Sequence, residues 1–234
     1  MEGGFGRFPL DQEYSVSKAS QEAYRKIRAG ILSGHFPAGQ FVPEDEFAQF
    51  CGLSRTPVRE AIAELVAEML LQRSDTNRVF VPIWSDDDEE ELFTLRAMLE
   101  SHCATRAARL ISDEQVAQLH AHCDFIDRAI ATPDGPDVPG FVEGNRRFHA
   151  VILAAAQSER LAQLMKFVVS QIVVHRTAEQ YSRADMEQSQ RDHRDLVSAF
   201  EMRDEEWAGA VANTHIRRAA NAYRTMRQGS TDAA

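Results

Sequence analysis

Cys51-Gly52-Leu53-Ser54-Arg55-Thr56-Pro57-Val58-Arg59-Glu60-Ala61-Ile62 decides the fold of the first third of this chain. Gly52 stops one helix. Ser54 then caps another by offering a side-chain oxygen to its free N–H groups, and Pro57 fits the first turn, where an N–H has no intrahelical partner. Ile62, Leu65, Val66 and Met69 follow at helical spacing and predict the buried face of a helix over Ser54–Glu68. Two helices joined by so tight a turn form a helix-turn-helix, in which the second helix offers its N-terminal turns to the DNA major groove.

Outward from this stretch the punctuation continues. Ala23, Ile27 and Ile31 predict a helix over Ser17–Leu32, Gly34 ends it, and His35–Gln40 reads as a turn. Pro43–Phe50 predicts two turns of helix whose opening acids, Glu44, Asp45 and Glu46, suit the positive end of the helix dipole. After the recognition helix, Leu70–Arg73 and Val79–Val81 flank a polar turn and predict a small hairpin, the wing; Pro82 closes the module. Arg55, Thr56 and Arg59 lie where base edges and phosphates are reached. An arginine fork on guanine O6 and N7 is worth about 1–3 kcal/mol of discrimination. Glu60 is placed to hold Arg59 or Arg55, and the plainer reading of this face is a solvated arginine-rich helix.

Composition sets the bounds. The chain has 234 residues, 44% of them hydrophobic and 26% charged, as in an ordinary globular protein. Its net charge of −10 excludes a nonspecific nucleic-acid coat, yet residues 14–83 are close to balanced, and the acidic excess lies beyond residue 84. Cys51, Cys103 and Cys123 form no Cys-x-x-Cys pair and no even disulfide framework, so reduced, buried thiols and a cytoplasmic protein are expected. No leader pattern and no apolar span of membrane length is present, so no membrane partner is expected. The expected organisation is a tail at 1–13, a winged helix-turn-helix at 14–83, an all-helical bundle of about six helices at 84–227 and a tail at 228–234. The fold class is mainly α.

Breaks in the helical part fall near Ile111–Ser112, in the loop 132–140, near Gln157–Ser158, near Tyr181–Ser182 and at Arg203–Asp204. Asn145 and His149, four apart, share a helical face; His193 and His215 sit on two later helices. If those helices pack together, three imidazoles and an amide oxygen converge on a divalent cation; hydrogen-bonded or surface histidines are the bland alternative. Arg96 fits an effector carboxylate by its fork, or else pairs with Glu100 at i, i+4. His35, His102, His120, His122 and His175 lack partners at ligand spacing, and Trp84 and Trp207 suit helix packing.

These residues resemble a known family. Ile31-Leu32-Ser33-Gly34 through Pro37-Ala38-Gly39, followed by Gly52–Ile62, resembles the winged helix of the GntR regulators, and Ser54–Glu60 its FadR-type branch. Residues 86–226 resemble the FCD ligand-binding domain in its smaller, VanR-like form. Leu95–Glu100 matches its opening helix, Asn145–His149 its metal motif, and His193 and His215 the later ligand positions. The resemblance implies a homodimer on double-stranded DNA with a short palindromic operator, read by Ser54, Arg55, Thr56 and Arg59 with the wing residues Asn77 and Arg78. It also implies a divalent metal, zinc or else nickel or manganese, on Asn145, His149, His193 and His215, with a small carboxylate effector in the open positions. The sequence departs from the family where Arg78 and Met69 replace common glycines, Met69 with an effect expected only on packing, and where Asn145 replaces a frequent aspartate.

A ligand-responsive repressor is therefore expected, with Arg96 on the effector. Two rival readings stand beside it: a metal-dependent hydrolase with an accessory winged helix, and a constitutive DNA-binding dimer with a structural metal. Against the hydrolase, no glutamate accompanies a histidine in a His-Glu-x-x-His pattern.

Overall fold

The structure is a computed structural model; it describes residues 17–83, 85–168 and 181–231, the side chains of 167 and 226–231 excepted. The expectations for the 1–13 tail, Trp84, His175 and residues 232–234 lie outside the described residues. Two compact units emerge. One comprises the residues up to Ala67 together with Leu71–Val81, the other Glu68–Leu70 together with the chain from Pro82 onward.

The first unit is three helices and a wing. Helix α1 (Lys18–Leu32) starts at Ser17, whose side chain accepts from the Ser20 backbone N–H. Helix α2 (Glu44–Cys51) ends at Gly52 with φ +66°, a left-handed conformation that a Cβ would disfavour. That conformation makes the tight turn into α3 (Arg55–Ala67), whose Val58, Ala61, Ile62 and Leu65 are fully buried. Helix α3 packs on α1 and α2, whose Ala23, Ile27 and Phe47 are also fully buried, and the buried Phe36 ring lies 4.8 Å from that of Phe47. Strands β1 (Gln72–Arg73) and β2 (Val79–Phe80) pair antiparallel, and the segment 39–42 borders β2 through Val42 N–H to Val79 O (2.9 Å) and Gly39 N–H to Val81 O (2.8 Å).

Two details differ from the sequence expectation. Helix α3 stops before Met69, which is exposed rather than buried and has φ +56°. The residue thus strains the backbone, an effect beyond packing alone. At the wing tip the left-handed residue is Asn77 (φ +61°), not Arg78. Asparagine tolerates this region, so the turn forms without the family's glycine.

In the second unit the described helices are α4 (Asp86–Leu110), α5 (Asp113–Ile130), α6 (Val138–Ala155), α7 (Glu159–Val168), α8 (Arg183–Glu201) and α9 (Glu205–Thr231). Capping boxes at Ser85/Asp88, Ser112/Gln115 and Ser182/Asp185 start α4, α5 and α8 by satisfying N–H groups that a helix start leaves open. The loop expected at 132–140 is shorter, because Asp137 caps α6 and Val138–Gly140 already belong to it. Residues 228–231, expected as tail, continue α9.

Helix α9 runs along α4, and α5 packs against both α6 and α8. Gly144 sets the α5–α6 approach: a Cβ there would lie 2.6 Å from Ile126 Cγ1 and 2.9 Å from Phe125 Cδ1. The main core gathers Cys103, Leu119, Phe148, Ile152, Leu196 and Phe200. All three cysteines are free and buried, and burial pushes the Cys103 thiol up to about 12 and Cys123 up to about 11. Such thiols stay protonated and unreactive. No helix among the described residues is long and apolar enough to cross a membrane.

Candidate functional site

Two groups of side chains, one in each unit, carry chemistry. In the first unit, Ser54, Arg55, Thr56 and Arg59 are all exposed at the open end of α3, while its other face is buried in the core. Asn77 and Arg78 are exposed on the wing turn, and the Arg78 guanidinium lies 5.1 Å from the centre of the Phe41 ring. Glu60 does not hold the arginines; its carboxylate accepts from Ser20 Oγ instead. The partners come from α2. Asp45 receives a two-pronged contact from Arg55 (Nε to Oδ1 2.6 Å, Nη2 to Oδ2 2.7 Å). Glu44 Oε2 accepts from Arg59 Nε at 2.6 Å, and the Arg59 fork holds the Glu44 carboxyl below its usual range. Sequence reasoning had assigned these acids only to the helix dipole.

In the second unit, α6, α8 and α9 bring His149, His193 and His215 together, with one ring nitrogen from each within 4.8 Å of the others. The His193 ring also stacks on Phe148 at 4.3 Å between centroids. Each imidazole has its Nδ1 beside an acceptor: Glu100 Oε2 for His149 (3.3 Å), Gln190 Oε1 for His193 (3.3 Å) and Asp192 Oδ2 for His215 (3.4 Å). The Gln190 amide nitrogen is taken by the Cys123 carbonyl at 2.8 Å, so its oxygen faces His193. The His193 Nδ1 must then donate, which leaves Nε2 with a bare lone pair. That Nε2 is buried and has no hydrogen-bond partner.

An orphaned ring nitrogen beside two other imidazoles fits a metal ligand, and acceptors behind the rings are what orient such ligands. Burial, followed by the neighbouring His215 and His149, pushes the His193 pKa well down, keeping the ring neutral as a ligand must be. Burial also lowers His215, against the pull of Asp192. Asn145 is half-buried one turn before His149 on α6.

Two arginines back the acceptors. Arg96, only 7% exposed, places Nε and Nη2 on the same oxygen of Glu100 (3.1 and 3.0 Å), leaving the other oxygen to His149. Burial works to raise the Glu100 carboxyl, but Arg96, then His149 and His215, outweigh it and hold it at about 2. The carboxylate pairing of Arg96 is thus the contact present. Arg218 donates to Asp192, which also accepts from Gln188 at 2.9 Å. Arg218, Asp192, His215, Ser189, Asn221 and Tyr181 line a cleft of about 300 Å³. The i, i+4 spacing signalled Glu100; nothing local signalled Asp192 or Arg218.

Comparison with known proteins decides what these units are. Residues 19–81 match the gntR family of bacterial regulatory proteins, and residues 91–218 match the FCD domain. The chain is a GntR-family regulator with an FCD domain. An HTH-type transcriptional regulator in the TAR-I ttuE-ttuC' intergenic region of Agrobacterium vitis is 33% identical over 147 residues, covering 61% of this chain and 84% of its own. The HTH-type transcriptional repressor RspR of Escherichia coli is 25% identical over 215 residues, 91% of this chain and 92% of its own. The fold also matches the solved E. coli McbR/YncC structure, with a TM-score of 0.74 at 18% identity, covering 90% of this chain and 99% of that one.

This GntR-family regulator is therefore a DNA-binding transcriptional regulator and not an enzyme. Glu100, held at about 2 and bound by Arg96, is poorly suited to accept a proton as the base of a hydrolase.

Proposed function

We propose that the protein is a cytoplasmic, homodimeric repressor that binds a short palindromic operator. In this reading residues 14–83 read DNA through Ser54, Arg55, Thr56 and Arg59, with Asn77 and Arg78 on the wing. Residues 84–227 bind a divalent metal, zinc best by its affinity for imidazole, and a small organic acid. The observation that carries the sensing half is His193 Nε2, buried and without a partner beside two other imidazoles.

His149, His193 and His215 would hold the ion, joined by the Asn145 amide oxygen, and the ion would supply a Lewis-acidic position for a carboxylate. The chain's own residues do the rest. Glu100, Gln190 and Asp192 orient the three rings. The charges of Glu100 and Asp192 are balanced by Arg96 and Arg218, so a cation held here keeps its charge for an anionic effector. Arg96 grips that effector by yielding Glu100; Arg218, half-exposed in the cleft, is the second arginine available. The effector shifts DNA binding by its difference in affinity for the two states of the dimer.

The test uses the purified full-length protein. Elemental analysis is expected to find one bound metal per chain, and fluorescence anisotropy on the tightest duplex selected from a randomised library is expected to change with a carboxylate only in metal-loaded protein. A carboxylate response that is identical after metal removal would sink the sensing half. A metal-loaded protein that ignores every carboxylate would instead favour the structural-metal alternative.

A further inference from the structure

One bidentate edge of Arg55, Nε and Nη2, of the kind that can meet guanine O6 and N7, is occupied in the free protein by Asp45. Arg59 is likewise held, on Glu44, and Glu44 reaches beyond the recognition helix: its Oε1 lies 3.5 Å from Arg73 Nη2 at the base of the wing. Arg73 in turn donates to the Asn77 side chain at 3.2 Å. The first turn of α2 thus meets both arginines: Asp45 pairs with Arg55, and Glu44 pairs with Arg59 and reaches Arg73 of the wing. Both guanidiniums are largely in water, 63% exposed for Arg55 and 61% for Arg59. Such pairs are weak enough to be exchanged for another partner.

We propose that Asp45 and Glu44 are specificity-determining residues, which hold Arg55 and Arg59 on α2 so that bare phosphate wins them poorly and a matching base edge wins them well. The proposal rests on the reading of α3 as the DNA-reading helix. Nonspecific binding draws almost all its strength from cations neutralising phosphates. A cation already neutralised by a carboxylate contributes little to it. At a matching site, two directed hydrogen bonds to guanine replace the two lost to Asp45, so exchange there is compensated. The acids therefore weaken binding everywhere but weaken it most where no base match exists. A protein with net charge −10 carries this restraint down to its reading face.

The test is D45N in the full-length protein, with E44Q as the parallel variant; each keeps the side-chain shape and removes the charge. Affinity is measured by anisotropy across a salt series on the library-selected duplex and on a random duplex of equal length. Freeing one arginine adds about one phosphate contact, which steepens the salt slope by about 0.9. At 0.1 M salt this amounts to about an eightfold gain relative to 1 M on random DNA. The selected duplex is expected to gain less, so the specificity ratio falls.

D45N is also measured in an R55Q background, where its effect on random DNA is expected to vanish. An unchanged salt slope in D45N, or lower affinity for the selected duplex alone, would overturn the proposal by showing that the acids merely orient the arginines. Persistence of the D45N effect in R55Q would overturn it too, since the carboxylate would then act by general repulsion. Failure of the underlying reading has a separate mark: R55Q itself would leave binding to the selected duplex unchanged.

Discussion

The winged unit keeps its functional charges in water, whereas the helical unit buries them. Arg55 and Arg59 are exposed and paired with acids of the adjacent α2, 10 and 15 residues away in sequence. His193 is fully buried, and its companions His149 and His215 arrive from other helices. The difference follows from the two tasks. An exposed pair is weak and readily exchanged for another partner. A buried imidazole whose Nε2 has no protein partner carries a desolvation cost that a bound group at that nitrogen offsets.

The sharpest way to break this contrast is to remove the buried element. His193→Ala is expected to lower metal affinity by more than the roughly 10–100-fold typical of losing an orienting partner behind a ligand. Calorimetric titration of zinc into the apo-protein checks it, and unchanged affinity would reduce the cluster to ordinary core histidines.

Acid should separate the units next. Because burial lowers the His193 and His215 pKa values below 6.5, the unfolded chain binds more protons than the folded one as pH drops below that value. Stability of the helical unit is therefore present above about pH 6.5 and is lost progressively below it, by up to about 1.4 kcal/mol per group for each further pH unit until the folded pKa is reached. Thermal melts of the apo-protein across this window measure the loss, and a melting temperature flat from pH 7 to 5 would contradict the burial.

On the exposed side, Arg55→Gln is expected to lower discrimination between selected and random duplexes by about 1–3 kcal/mol while leaving metal binding untouched. Anisotropy on both duplexes checks it. The smallest effect concerns only backbone strain: Met69→Gly relieves a left-handed φ of +56° in an exposed side chain, with an expected gain of less than about 1 kcal/mol. A lower denaturation midpoint in urea would show that the Met69 side chain matters more than its backbone.

The fold was legible to a large degree because its signals are local. Ser17, Ser85, Ser112 and Ser182 cap helices by reaching three residues along their own chain, and Gly52 bends the chain at one position. The pairing of Arg96 with Glu100 was visible for the same reason, four residues on one helix face. Errors came where local signals compete. Met69 continued the apolar periodicity of α3, but the helix had already ended. Pro139 and Gly140 read as loop, yet Asp137 caps a helix whose first turn contains them.

By itself the sequence determined the helix-turn-helix, the wing and the mainly helical second unit, because each depends on spacing within a dozen or so residues. Only the tertiary structure decided which charges meet. It turned Glu60 to Ser20 and gave Arg55 to Asp45 and Arg59 to Glu44; it set Gln190 between the Cys123 carbonyl and His193, and Asp192 between His215 and Arg218. The physical reason is that a hydrogen bond acts over about 3 Å. Whether two residues distant in sequence come that close depends on how whole helices pack, which no local spacing records.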